Sequence, residues 1–239
     1  MKKGFNLVIF GFVFLFSAAL IVLANKRYQG REMGGFNLKI HQEEGLFLTE
    51  NIVNNLLIQS LDSMENTLNS ELNLYKLECD VSEHPLVKEV LVYQSVEGAI
   101  GVEVIQKKPV LRLYVDGSSK YLDSKGKIMP LSSNFTARLP VYRGPWNEEL
   151  KLEVYRLISR FRESQFWIDE LVGLTYKMEE GFVIFTRTGG HEVVLGSLNR
   201  LGTKLNKYEV FLRTAQSKGT VKDFRKINLK FNNQVVCSK

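Results

Sequence analysis

The chain has 239 residues, of which 44% are hydrophobic and 24% are charged, so it is long enough for one or two globular domains. Its formal net charge of +6 raises the question of nucleic-acid binding. The basic residues are scattered among 26 acidic ones, and no basic run carries interleaved aromatic residues. We therefore expect no nucleic-acid partner, and a solvated, mildly basic surface that is weakly attracted to anionic lipid headgroups.

The chain begins with an apolar segment, residues 4–24, that contains no charged side chain. About 20 such residues cross the hydrocarbon core of a bilayer as a helix. A cleaved signal peptide is the alternative, but its apolar core is usually about 7–15 residues long and ends at a small-x-small site. The segment here is longer and ends in a poor cleavage site. The pattern favours a single-pass transmembrane anchor that includes Gly4, Phe12, Leu15 and Ala24.

The charges that flank this segment leave its orientation open. Residues 1–3 carry two lysines, which favour a cytoplasmic tail, whereas residues 25–34 carry a lysine and two arginines, which favour the opposite orientation. A very short N-terminal tail before a large C-terminal portion fits a signal-anchor protein whose bulk lies outside the cytoplasm. Residues 25–34 then form a polar tether.

Residues 35–109 predict a small α+β domain. Its first part contains a strand, a helix, a polar loop and a second helix that ends before Pro85. The strand is Phe36–His41, and the first helix follows the N-cap Thr49. The polar loop is Asp62–Asn69, and the second helix covers residues 74–81.

Two β-rich runs follow, Val87–Tyr93 and Ala99–Gln106, and the turn between them is short enough for a hairpin. Apolar residues alternate along the second run, which is typical of a strand with one buried face. Pro109 ends this run, because proline cannot donate a hydrogen bond to a strand ladder. The sequence therefore predicts a joint between two domains at Lys107–Pro109.

Residues 110–231 predict a second domain, with a β-sheet and flanking helices. The helix after Gly144 and Pro145 carries Glu148 and Glu149 in its first turn, where acidic side chains complement the helix dipole. Its predicted apolar stripe is Leu150, Val154, Leu157, Ile158 and Phe161. A β-meander, a last helix and a last strand follow. The predicted strands are Val110–Val115, Tyr121–Asp123, Lys127–Met129, Leu139–Tyr142, Leu171–Met178, Gly181–Arg187, His191–Leu195 and Lys226–Phe231, and the last helix is about Arg200–Ser217.

The last predicted strand, Lys226–Phe231, is followed by a polar tail of residues 232–239. Its side chains alternate between an apolar face and a polar face, with Ile227, Leu229 and Phe231 against Asn228 and Lys230. A last strand often forms a sheet edge, whose unpaired N–H and C=O groups can accept a strand of another chain. The alternative is an ordinary half-buried strand, in which Lys230 discourages misassembly.

We identify no catalytic or metal-binding constellation. The three histidines lack a second ligand type at metal spacing, and Ser124–Lys127 matches Ser-x-x-Lys only within a glycine turn. Cys79 and Cys237 could pair in an oxidising compartment if they lie close together, although Cys79 is better explained as a buried apolar position. We expect no cofactor and no small-molecule substrate.

The order of these parts resembles the FtsQ/DivIB family of bacterial cell-division proteins, in which a POTRA domain ends in such a hairpin and a β domain begins beyond the proline. The resemblance rests on VKEVLVYQ…GAIGVEVIQKKPV followed by YLD…GKIMP. The form YLDSKGKIMPLS with TARLPVYRG is similar to members from Bacteroidetes. The resemblance implies a POTRA-like domain at 35–109 and a β domain at 110–231.

In this family the last strand of the β domain docks the division partners FtsB and FtsL. Ile227 and Leu229 match the family pattern, whereas Asn228, Lys230 and Phe231 replace Asp, Arg and Tyr. The segment LGTKLNKYEVFL resembles the helix that precedes this strand, with Lys204 at its basic position. The implied partner-binding residues are Lys204, Ile227, Asn228, Leu229, Lys230 and Phe231.

The resemblance thus implies a non-enzymatic, membrane-anchored scaffold of the divisome that is needed for septum formation. It would lie in the bacterial inner membrane at the division septum, with its bulk in the periplasm, and its partners would be FtsB, FtsL and the lipid bilayer. The alternative is a membrane-tethered enzyme or chaperone of the cell envelope, whose site is assembled from residues distant in sequence.

Overall fold

The computed structural model describes residues 12–23, 34–41, 45–65, 73–95, 99–232 and 234–239. Strands and helices are both present, so the predicted α+β class is confirmed. Residues 12–23 are helical, but no helix in the described part of the chain is both long and apolar enough to cross a bilayer. Among the predicted anchor residues, Phe12 and Leu15 have exposed side chains in this helical segment, whereas Gly4 and Ala24 lie outside the described residues.

The described residues form two compact units. The first unit contains the described residues up to His41, together with Glu50–Glu83 and Glu89–Ile105. The second contains residues 45–49, His84–Lys88 and the chain from Gln106 onward. Three short segments of the predicted first domain therefore group with the second unit, namely residues 45–49, 84–88 and 106–109.

In the first unit, two helices accompany a three-stranded sheet. The elements are β1 (Gly34–His41), α1 (Glu50–Glu65), α2 (Leu74–Ser82), β2 (Val87–Gln94) and β3 (Ala99–Gln106). The strand order is β1-β3-β2, and β1 runs parallel to β3 with Leu38 opposite Val102. Asn73 caps α2, because its side chain accepts a hydrogen bond from the Lys76 N–H.

The core of the first unit lies between the apolar sides of the helices and the alternating side chains of β3. Leu57, Leu77 and Val102 have no exposed surface. Helix α1 continues to Glu65, so the prediction of a loop from Asp62 is wrong for its first four residues. Three of these four residues are polar, but none is a glycine or proline, so nothing in them ends the helix. Residues 66–69 of the predicted loop lie outside the described residues.

The second unit is built on a mixed sheet with the strand order β12-β11-β10-β9-β8-β7-β4-β5-β6. The strands are β4 (Pro109–Val115), β5 (Ser118–Asp123), β6 (Ile128–Met129), β7 (Val141–Arg143), β8 (Leu171–Lys177), β9 (Gly181–Thr186), β10 (Glu192–Gly196), β11 (Lys226–Asn228) and β12 (Val236–Ser238). Strands β8, β9 and β10 pair antiparallel in sequence, as the predicted meander requires.

Three helices pack against this sheet in one hydrophobic cluster, namely α3 (Glu148–Phe161), α4 (Gln165–Glu170) and α5 (Leu201–Ser217). A short 3-10 helix, Val221–Asp223, follows α5. Asn147 caps α3 by accepting a hydrogen bond from the Leu150 N–H at 2.7 Å. The buried residues of α3 are those of the expected apolar stripe, Leu150, Val154, Leu157, Ile158 and Phe161. Helix α4 is not predicted by the sequence, because its six residues are too few to show a helical period.

Candidate protein-docking surface

The C-terminal end of the sheet consists of β10, β11 and β12. Strand β11 lies between the other two, parallel to β10 and antiparallel to β12, with Ile227 opposite Cys237. The prediction that Lys226–Phe231 is an edge strand is therefore wrong, because β12, which arises from the predicted polar tail, covers it. Strand β12 is itself last in the sheet order, so its outer N–H and C=O groups have no neighbouring strand within the described residues.

Strand β11 is also shorter than predicted, since it ends at Asn228. The Leu229 N–H still donates to the Val194 carbonyl oxygen at 2.9 Å. The next N–H, that of Lys230, donates to the side-chain Oδ1 of Asn228 at 3.0 Å. A local bond from side chain to backbone competes with the strand ladder, and here it ends the strand.

The six predicted partner-binding residues differ in their exposure. Ile227 and Leu229 are fully buried in the core, whereas Phe231, predicted for the same face, is 46% exposed. Asn228 is half-buried and Lys230 is exposed. Ile227 and Leu229 therefore hold β11 on the core, and Lys230 and Phe231 present side chains to solvent.

The structure brings Lys204 together with the residues that follow β11. They line a cavity of about 180 Å³ between the N-terminal half of α5 and the chain after Leu229. Four of its lining side chains are basic and none is acidic. We call this cavity the basic pocket; its lining residues are Ser197, Asn199, Arg200, Thr203, Lys204, Lys207, Leu229, Lys230, Phe231 and Asn232.

Lys204 is the buried cation of the basic pocket and is only 9% exposed. Its ammonium donates to the carbonyl oxygens of Leu195 at 2.8 Å and Ser197 at 2.7 Å. Burial lowers the pKa of Lys204, and the nearby charge of Lys207 lowers it further. Because Lys204 donates to neutral carbonyl oxygens and not to carboxylates, these hydrogen bonds do not cancel its positive charge.

Two further cations hold the chain after β11 in the same way. Lys207 donates to the carbonyl oxygen of Phe231 at 2.7 Å, and Arg200 donates to the side-chain oxygen of Asn232 at 3.3 Å. Neutral oxygens again accept these hydrogen bonds. The pocket is therefore complementary to an acidic side chain or another anionic group.

An apolar groove adjoins the basic pocket along α5. Val210, which is 65% exposed, and Phe211 form its floor, with Val235 from the segment before β12 on the other side. Val236, the first residue of β12, is also exposed. The edge strand β12, the apolar groove and the basic pocket lie on adjoining elements. We call these three features together the docking surface.

Ion pairs fix the start of β11 to its neighbours. The Lys226 ammonium bonds to the carboxylate of Glu180, and Lys177 lies 3.1 Å from Glu180 and 2.5 Å from Glu192. Hydrogen bonding to Lys226, followed by that to Lys177, lowers the pKa of Glu180. The network joins the β8–β9 turn to β10 and β11, so it supports the strand on which β12 is paired.

Other polar residues have local partners. His41 Nε2 lies 3.1 Å from a Glu103 carboxylate oxygen, and His84 Nδ1 accepts from the Leu86 N–H at 3.3 Å. Cys79 and Cys237 are both free and half-buried. Within the residues that the structure describes, no three His, Cys, Asp or Glu side chains are grouped so that they could hold a metal ion.

Sequence reasoning missed the edge strand Val236–Ser238, the apolar groove at Val210 and Phe211, and two cations of the basic pocket, Arg200 and Lys207. The β-branched pair Val235-Val236 was the available signal for the strand. Arg200 and Lys207 gave no signal, because their partners are a carbonyl and an amide that become adjacent only in the fold.

Residues 108–238 match a protein family described as FtsQ/DivIB, C-terminal related. The match covers more than half of the chain and includes every residue of the docking surface. A comparison with curated proteins finds no match.

Proposed function

This chain belongs to the FtsQ/DivIB family, which indicates a role in bacterial cell division, and we propose that it is a non-enzymatic scaffold that docks FtsB and FtsL. The observation that carries the proposal is the family match over the second unit, where the docking surface lies. A scaffold needs an accessible recognition surface. The edge of β12, which no other described strand covers, lies beside a basic pocket and supports this role.

The proposed docking mode is the addition of a partner strand to β12. Main-chain hydrogen bonds along the edge provide affinity, and side-chain sites beside the edge provide specificity. The groove at Val210 and Phe211 suits apolar side chains, and the basic pocket suits an acidic residue of the same partner. Opposite charges at such a site raise the association rate and exclude wrong partners.

We propose residues 35–109 as a POTRA-like domain. The order strand, helix, helix, strand, strand and the sheet order β1-β3-β2 support this assignment. The first strand lies at an edge of that small sheet, and β3 is central.

We further propose that residues 4–24 anchor the protein in the inner membrane, with its bulk in the periplasm at the septum. The helical residues 12–23 support this, since nine large apolar side chains in them are more than half exposed. A helix that is apolar on all sides requires an apolar environment. About 20 residues are needed to span the bilayer core, which the full apolar segment supplies.

A photo-crosslinking residue at Val236 tests the docking proposal in dividing cells. We expect crosslinks to FtsB or FtsL from Val236 and none from Leu152, an apolar position on α3 that is more exposed than Val236. Depletion of the protein should give long, undivided cells. Normal division after depletion, or partner crosslinks that are equal at both positions, would contradict the proposal.

A further inference from the structure

Helix α5 is attached to β10 by buried polar side chains at two places. Near the end of β10, the Lys204 ammonium bonds the carbonyl oxygens of Leu195 and Ser197. Near its start, the Tyr208 hydroxyl lies 3.0 Å from Nδ1 of His191, the residue before β10. Lys204 and Tyr208 are four residues apart and lie on the same face of the helix. The two attachments together fix the register of α5 along β10.

The partners of His191 determine the direction of its hydrogen bonds. Nε2 lies 2.8 Å from the carbonyl oxygen of Val221, and a carbonyl oxygen can only accept, so Nε2 carries a hydrogen. In the neutral ring, Nδ1 is then an acceptor and the Tyr208 hydroxyl donates to it. Burial raises the pKa of Tyr208, so the hydroxyl keeps its proton and remains a donor.

The surrounding groups complete this arrangement. The Tyr208 oxygen also lies 2.9 Å from Oγ1 of Thr186 and 3.4 Å from a carboxylate oxygen of Glu170. The Thr186 hydroxyl donates to the main-chain carbonyl oxygen of His191 at 3.4 Å. Thr188 donates to Glu170 from its N–H at 2.9 Å and from its hydroxyl at 2.8 Å. His191, Tyr208, Thr186 and Glu170 are each at most 5% exposed, so a lost hydrogen bond here is not replaced by bulk water.

Gly189 closes the cluster on the side of the imidazole. A Cβ at this position would lie 2.4 Å from Nε2 of His191, and the backbone has a φ of +79°, which favours glycine. On the 3-10 helix that supplies the Val221 carbonyl, the neighbouring charged residues Lys222 and Asp223 are exposed. The imidazole is therefore held in one position by groups from the β9–β10 turn, α5 and the 3-10 helix.

We infer that His191 and Tyr208 are positioning residues of the docking surface: the neutral Nε2–H tautomer of His191 accepts the Tyr208 hydrogen bond and thereby sets the register of α5. This inference rests on the proposed docking function, because α5 forms a wall of both the basic pocket and the apolar groove. The hydroxyl carries the effect, since phenylalanine would preserve the ring contacts with Trp167 and Phe211 but leave Nδ1 without its donor.

The test compares Tyr208→Phe with Tyr155→Phe in the full chain. The Tyr155 hydroxyl donates to the Ser124 carbonyl at 3.2 Å, so the control removes the same atom from α3, which does not line the docking surface. Imidazole 15N spectra report the tautomer of His191, and only three histidines need assignment. We expect the wild-type spectrum to show the Nε2–H tautomer of His191. The Nδ1 signal should change in Y208F and stay unchanged in Y155F.

Binding is measured with the periplasmic parts of an FtsB–FtsL pair. We expect Y208F to bind about fivefold more weakly, the effect of one neutral hydrogen bond, and Y155F to bind like wild type. If Y208F does not fold, Thr186→Val, which removes the hydroxyl that contacts both the Tyr208 oxygen and the His191 carbonyl oxygen, is measured in its place with the same expected direction.

An Nδ1–H tautomer would overturn the assigned hydrogen bonds, and equal affinities of Y208F and Y155F would overturn the positioning role. If the wild type did not bind the FtsB–FtsL pair, the docking proposal would be wrong, and the positioning role that rests on it would also be wrong. The tautomer spectra distinguish these cases, because they do not depend on a partner.

Discussion

The Lys204 ammonium lies 2.7 Å from the carbonyl oxygen of Ser197, so a buried cation links α5 to the end of β10. Lysine was expected here as a partner-binding residue. Its internal hydrogen bonds give it a structural role as well, since the basic pocket is formed only while α5 stays in this place.

Replacement of Lys204 by methionine should destabilise the second unit. Methionine can occupy the space of the aliphatic chain but leaves the Leu195 and Ser197 carbonyls without their donor, which costs about 1–3 kcal/mol. Urea unfolding measures the loss. The matched control, Lys218→Met at the exposed end of α5, should stay within about 0.5 kcal/mol of wild type; equal effects of the two changes would refute the structural role.

The ion pairs at β11 predict a stability that depends on acid and salt. The pKa of Glu180 is lowered by Lys226 and Lys177, so its contribution is complete above the ordinary carboxylate range and is lost as the pH falls through its folded pKa. We expect Glu180→Gln to lower the free energy of unfolding by less than about 1 kcal/mol at neutral pH, because the network is partly exposed.

The difference in the free energy of unfolding between wild type and E180Q should vanish in acid and decrease at high salt concentration. Glu179→Gln is the control, since Glu179 is an exposed neighbour. A difference that persists unchanged in acid would show that the charge of Glu180 is not what stabilises the strand.

The environment of His84 predicts a second dependence of stability on pH. Burial, and then the charge of Lys107, lowers its pKa, so the folded state favours the neutral ring that accepts the Leu86 N–H. The stabilising contribution is present above the ordinary histidine value, roughly pH 6.5, and is lost as the pH falls toward the folded pKa.

His84→Asn retains an acceptor without a titrating ring, so wild type should lose stability relative to H84N between about pH 7 and pH 5. His41→Asn, on the first unit, serves as the histidine control. Parallel stability curves of wild type and H84N over this range would exclude the proposed effect of His84.

Substitution by alanine should have different effects on stability at Gly173 and at Gly202. A Cβ at Gly173 in β8 would lie 2.7 Å from the backbone oxygen of Val141 in β7, so G173A should cost about 1–3 kcal/mol through displaced strands. At Gly202 in α5 the nearest atom is an Arg160 nitrogen at 3.4 Å, and alanine should be neutral or stabilising by up to about 0.5 kcal/mol. Thermal unfolding of both variants checks the pair; a stable G173A would mean that β7 and β8 can separate without cost.

The parts of the fold that were predictable are those with local patterns. The stripe on α3 and the alternation in β3 follow from burial of one side of a regular element, which repeats in the sequence. The end of β11 depends instead on a single hydrogen bond from Lys230 to Asn228, and β12 has only three residues. Lys204 and Lys230 were expected only as partner-binding residues, and the basic pocket that they line was not predicted. Arg200 and Lys207 join this pocket only because α5 packs beside the chain after β11.

The most direct measurement is the affinity of the periplasmic FtsB–FtsL pair for wild type, Lys230→Glu and Lys218→Glu. Both lysines are exposed, so neither change should disturb the fold, but only Lys230 lines the basic pocket. We expect K230E to weaken binding by at least about tenfold, through repulsion of an acidic partner residue, and K218E to bind like wild type. Equal affinities of K230E and wild type would contradict docking at this surface.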